Sequence, residues 1–180
     1  MSFDILSRQG TTDFVSYSVL INGSEIPAET RIVSMEVHKA VNSIPTARII
    51  IADGDAASQE FPASTSEHFI PGNEIEIQVG YHSDESTIFK GVIVKHGIKA
   101  KKNGTSLLKL ECKDPVYKMS IGRKNRAFTE NTDSDTIKSI LDEHGLQNNV
   151  VDTSETHEYL AQYDITDWDY INVRAEISGM

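Results

Sequence analysis

The residues of this sequence equipped for chemistry are six histidines, one cysteine and a few adjacent acids. A zinc site needs ligands at characteristic spacings. His38, His68, His82, His96, His144 and His157 show neither an HExxH pattern nor a His-x₃₋₅-His pair, and Cys112 has no second thiolate with which to share a metal. Asp53-Gly54-Asp55 begins like a calcium loop, but the alternating ligands and closing glutamate are missing, so it reads as a turn. There is no GxSxG elbow, no phosphate loop and no GxGxxG turn. Asp84-Glu85 and Asp142-Glu143 are acid pairs of the kind used in proton transfer, yet adjacent acids in a turn or on a helix read as solvated side chains. Only a deep cleft gathering His82, Asp84 and Glu85 would make an enzyme of the chain. The expectation is no catalytic residue, no cofactor and no metal, with Cys112 a small core residue.

The elements that would position these residues are mostly strands. Phe14, Tyr17, Val19 and Ile21 lead into Asn22-Gly23, a strong hairpin signal, with Ile26 beyond it. Arg31 to His38 and Ala47 to Ala52 are β-branched runs separated by a loop at Val41 to Pro45, and Asp53 to Asp55 closes the second run. Ala56 to Ile70 is a long loop or carries a short helix. Glu74 to Tyr81 alternates polar and apolar, as a half-buried strand must. A turn at His82 to Ser86 precedes a long strand, Ile88 to Ala100, bent at Gly91 or Gly97. Lys101 to Gly104 forms a hairpin tip, and Leu108, Leu110 and Cys112 alternate on the returning strand.

Beyond Asp114-Pro115 the pattern changes. Val116 to Ile121 reads as a helical turn and Ala127 to Thr129 as a short extended piece. Asp133 to His144 is a helix with Ile137, Ile140, Leu141 and His144 on one face, stopped at Gly145. Glu158 to Gln162 reads as a strand. Thr166 opens a last helix in a capping box with Asp169, stapled by Ile165 and Tyr170. The stripe of Trp168, Ile171 and Ala175 needs a cover, expected from a further strand or a partner.

The chain has 180 residues and a net charge of −10. One large domain, or one domain and part of another, suits that length. The acidic balance disfavours nucleic acid, and no apolar run is long enough for stable membrane insertion. The first residues lack the charged start and apolar middle of a secretory signal. Charge is segregated: Lys95 to Arg126 holds ten cations against two acids, and residues 131–180 hold eleven acids against two cations. Either these are two solvated surfaces, or they meet head to tail between subunits, where charge sets register.

Three stretches carry a family resemblance. Ile88-Phe89-Lys90-Gly91-Val92-Ile93-Val94, with the following Leu107 to Cys112, resembles an F-x-G-x-V strand. Arg126 to Thr129 followed by Asp135 to Gly145 is similar to a short strand and an I-x-x-I-L-x-E-H-G helix. Gln162 to Met180 resembles a Q-Y-x-E-S-D-W-D-F segment, with Tyr170 in place of the usual Phe and Arg174 one residue late. All three, in order, are similar to the N-terminal hub part of the VgrG family and of contractile phage tail hubs (late control protein D-like).

The resemblance implies a β-rich α+β fold, with a tail-tube-like β-barrel over 1–122 and the beginning of a second, truncated hub domain over 123–180. It implies a structural, non-enzymatic hub or spike component of a type VI secretion spike or phage-tail-like particle. Such a component is a homotrimer between tail tube and puncturing spike, meeting the tail-tube protein and baseplate proteins. It is assembled in the cytoplasm and exported within the particle. The other reading is a ligand- or glycan-binding β-barrel module, which would need an aromatic-lined pocket.

Overall fold

The structure, a computed structural model, describes residues 15–55, 60–81, 84–100 and 105–179. Phe14, His82, the tip at 101–104 and Met180 lie outside the described residues. Seven strands form one antiparallel sheet: β1 (Val15–Ile21), β2 (Ser24–Glu25), β3 (Arg31–His38), β4 (Thr46–Asp55), β5 (Glu74–Tyr81), β6 (Asp84–Lys99) and β7 (Thr105–Lys113). Their order is β2-β1-β5-β6-β7-β4-β3. Asn22 and Gly23 turn β1 into β2 at φ 50° and 80°, as the hairpin signal requires. Every strand read from the sequence up to Cys112 is present. β6 starts earlier than expected, so Asp84 to Ser86 are strand and not turn. Its register shifts between Ile93 and Lys95 against β7 and between Thr87 and Phe89 against β5, at neither glycine, whereas Gly91 lets the Lys113 carbonyl approach, at 2.4 Å from where a Cβ would stand.

The sheet must roll. Its two edges, β2 and β3, are joined by the short link from Glu25 to Arg31. Extended, six such steps reach about 22 Å, whereas six flat strand spacings need about 29 Å. Rolling explains why apolar residues from both ends of the strand order share one core, with Val19, Ile21, Ile49, Ile51, Ile77, Phe89, Leu108 and Leu110 buried and Met35 and Val37 packed against them. Phe69 enters the same core from the 3-10 turn Glu67–Phe69 beside α1 (Pro62–Thr65). Among the described residues no ladder joins β3 to β1 or β2, so the roll is not closed by strand pairing.

A second, smaller core follows. β8 (Lys124–Thr132) pairs antiparallel with β9 (Thr156–Ile165), and α2 (Asp133–Glu143) and α3 (Asp167–Ile177) follow these strands. Both strands are longer than their apolar cores alone predict, because Lys124 also pairs with Ile165 and Arg126 with Gln162 at one end, and Asn131 with His157 and Thr132 with Thr156 at the other. Ile140, Tyr170 and Met119 are buried together, with Phe128, Trp168 and Ile171 around them. Met119 belongs to the 3-10 helix Pro115–Ser120, which packs on Trp168 and Ile171 of α3 where a further strand or a partner was expected.

Candidate functional site

The densest polar constellation lies in the acidic segment, around Asp167. Asp167, first residue of α3, is 1% exposed and meets four donors. Oδ1 accepts from Arg126 Nη2 at 2.5 Å and Gln162 Nε2 at 2.9 Å; Oδ2 meets Lys124 Nζ at 2.6 Å and His144 Nε2 at 2.8 Å. Arg126 is itself fixed, giving Nε to Gln162 Oε1 at 2.6 Å and Nη1 to both Glu143 oxygens at 2.8 and 2.7 Å. Burial alone would raise the Asp167 carboxyl. The hydrogen bonds from His144, Lys124 and Gln162 and the Arg126 charge outweigh it and hold the group at about 2.

A second constellation mirrors the first. Asp133, first residue of α2, is 4% exposed. Its Oδ1 accepts from Arg174 Nε at 2.5 Å and its Oδ2 from Ser178 Oγ at 2.5 Å. His157 Nε2 stands 3.2 Å from that second oxygen and 3.2 Å from Arg174 Nη2. Here too burial opposes ionisation, and the bonds from Ser178, Arg174 and His157 override it and lower the carboxyl.

The mirroring has a sequence source. Glu130-Asn131-Thr132-Asp133-Ser134-Asp135 and Asp164-Ile165-Thr166-Asp167-Trp168-Asp169 are the same strand-to-helix device. Glu130 and Asp164 turn the chain at φ 54° and 47°. Thr132 and Thr166 cap the amides of Asp135 and Asp169 at 3.1 Å. Each helix then ends on the other's first acid: His144, C-cap of α2, reaches Asp167, and Ser178, C-cap of α3, reaches Asp133. Two β–α units are clasped reciprocally. Ionised and occupied by donors on both oxygens, the acids fix the units to each other and hold no free site for a proton. A T-D-x-D repeat was the signal available in the sequence.

The expected capping box at Thr166 forms with one change. The Asp169 carboxylate accepts from the Thr166 hydroxyl at 2.7 Å instead of from its backbone. Asp53 stands within a strand and not in a turn. Buried on β4, it accepts from the amides of Ala63 and Ser64 at 2.8 Å each and from the Ser64 hydroxyl, standing in for the missing cap of α1. Gly54 beside it has φ 56°, and a Cβ there would lie 1.7 Å from the Glu60 carbonyl. Cys112 is 1% exposed, and burial first, then Glu111, pushes its thiol up to about 12. Asp84 and Glu85 begin β6 opposite Tyr81 and Gly80, while His82 lies outside the described residues. Asp142 accepts from Asn148 Nδ2 at 3.1 Å, and Glu143 holds Arg126. His96 Nδ1 is 3.1 Å from the Phe69 carbonyl, and His38 ends β3 in solvent. Among the described residues no three potential ligands stand together as a metal site.

The charge segregation is in part internal. Arg123 pairs with Asp164 at 3.0 Å, and Lys124 and Arg126 pair with Asp167 and Glu143. Three of the ten cations of the basic stretch therefore serve the acidic segment of their own chain, which neither reading of the split foresaw.

The family model described as the Alg8 N-terminal domain matches residues 11–180. The chain belongs to that family. No curated protein matches the sequence. Among solved structures it is similar to the 43 kDa tail protein of prophage MuSo2 from Shewanella oneidensis, at 12% identity and a TM-score of 0.69, over 92% of this chain and 49% of that one. It is similar to the E. coli c3393 protein, a component of the type VI secretion system with structural similarity to phage T4 gp27 and gp5. There the identity is 13% and the TM-score 0.64, over 87% of this chain and 42% of that one. A third likeness is to the Francisella PdpA–VgrG complex, at 12% identity and a TM-score of 0.57, over 92% and 26%. The chain spans less than half the length of each of these proteins. Its fold is that of phage tail and VgrG-like proteins, as the sequence resemblance implied. No helix among the described residues is long and apolar enough to cross a membrane.

Proposed function

We propose that this chain is the N-terminal hub part of a spike component in a contractile injection machine. Three copies form an adaptor between the tail tube and a puncturing spike. The rolled sheet is the tube-like barrel domain, over residues 1–122, and the clasped β–α pair begins the second hub domain, over 123–180. Its partners are copies of itself, the tail-tube protein and baseplate proteins. It assembles in the cytoplasm and leaves with the particle. It works as a scaffold and not as an enzyme.

One observation carries this reading: nearly the whole chain, across both cores, follows the fold of a phage tail protein. The chemistry agrees. The buried acids are engaged in holding elements together, and the one thiol is sealed in the core. Light scattering on the full-length protein tests the stoichiometry. Three times the protomer mass is expected; a protein that stays monomeric at high concentration contradicts it.

A further inference from the structure

Two outward patches of this chain are complementary. The β8–β9 pair turns Phe128, Leu160 and Gln162 inward. Its other face is open, with Tyr159 at 63% and Tyr163 at 82% exposure, Ala161 between them, and Ala127 and Thr129 alongside. Glu130 and Glu158 stand exposed at its margin, and among the described residues neither has an ionic partner.

The second patch lies on the outer face of β4, β7 and β6. Ile50 faces Lys109, Ala52 faces Leu107, and Lys99 faces Leu107 from the other side. A row of alternating charge borders it, Glu36–Arg48 at 3.8 Å and Glu111–Lys95 at 3.4 Å, and that row neutralises itself. Lys99 and Lys109 are left exposed without an acid partner among the described residues. Next to Lys109 is Gly97, where an added Cβ would meet nothing within 4 Å, an open place on β6 between Lys95 and Lys99.

We propose that these patches meet between copies of this chain, the tyrosine face of one subunit seated on the Lys99–Lys109 face of the next. The signs are opposite, with two unpaired acids against two unpaired lysines, and that sets register. A tyrosine ring can lie over Gly97 with Lys109 or Lys99 at its face, an arrangement that gains from both burial of the ring and cation–π attraction. Because the two patches are different surfaces, the contact is heterologous and generates a ring wherever its rotation closes. The proposal rests on the self-association described above and adds the surfaces that carry it.

The test uses the full-length protein. Co-expressed Tyr163→Cys and Lys109→Cys single variants, oxidised, are expected to give a covalent dimer that neither gives alone; buried Cys112 stays out of the reaction. The K99E/K109E double variant is expected to weaken self-association at least tenfold, with E130K/E158K added in the same chain restoring it. Light scattering on the same samples separates the outcomes. An oligomer without the mixed cross-link, or one indifferent to charge reversal, overturns these surfaces and leaves the trimer standing. A Tyr163→Cys dimer formed with itself overturns them in favour of a symmetric contact. A monomeric wild type overturns both.

Discussion

Asp167 is the residue on which the second core depends most. Its carboxylate joins β8, α2, β9 and α3 through Lys124, Arg126, His144 and Gln162. Replacing it by Asn leaves the Arg126 guanidinium and the Lys124 ammonium with Glu143 alone as countercharge, and a cost of roughly 3 kcal/mol is expected in chemical denaturation. The group also sets an acid limit. Its carboxyl sits at about 2 in the fold, against about 3.9 in an unfolded chain. Its stabilisation is therefore complete above about pH 4 and is lost as the pH falls through about 2. Stability measured from pH 5 to pH 2 is expected to fall steeply in the wild type and less steeply in Asp167→Asn. Tyr170 gives the opposite case. Its hydroxyl is buried with no hydrogen-bond partner among the described residues, so Tyr170→Phe is expected to keep the melting temperature or raise stability by up to about 1 kcal/mol. These roles were hard to read in the sequence. An acid at the start of a helix has a sufficient local reason to be there, and nothing along the chain says that it is buried and bound to a strand forty residues earlier.

At the scale of elements, periodicity carried the first sheet. The alternation of Glu74 to Tyr81, the Asn22-Gly23 turn and the Leu108-Leu110-Cys112 face are local signals with local causes, and all three are realised. The lengths of β8 and β9 were not legible, because their end pairs, Lys124 with Ile165 and Thr132 with Thr156, continue no apolar alternation. The pairing order was not legible either, since β4 lies beside β7, far along the chain. Asp53 shows what that order makes possible: a strand acid caps α1, whose own N-cap, Phe61, offers no acceptor. Asp53→Ala is expected to cost about 1–2 kcal/mol, as losing a cap does. The loss should appear first as faster amide exchange at Ala63 and Ser64.

For the whole molecule, the two cores divide the work. The rolled sheet presents long strands and an outer face on which charges largely cancel, and the clasped β–α pair holds its geometry through buried ions. Net charge alone said little about partners. The informative quantity is what remains after internal pairing, a few lysines on the sheet and a few acids beside exposed tyrosines. Two patches of opposite residual charge on one chain suit a part that repeats around an axis, as the proposed hub subunit at the junction of tube and spike does. Imaging intact contractile particles that carry the tagged full-length protein, by electron cryomicroscopy, tests that placement, the central claim, most directly. The account predicts three copies of this fold in a ring around the particle axis, between the tube and the spike. Particles that are complete without it, or that hold it as a single copy off the axis, would contradict the account.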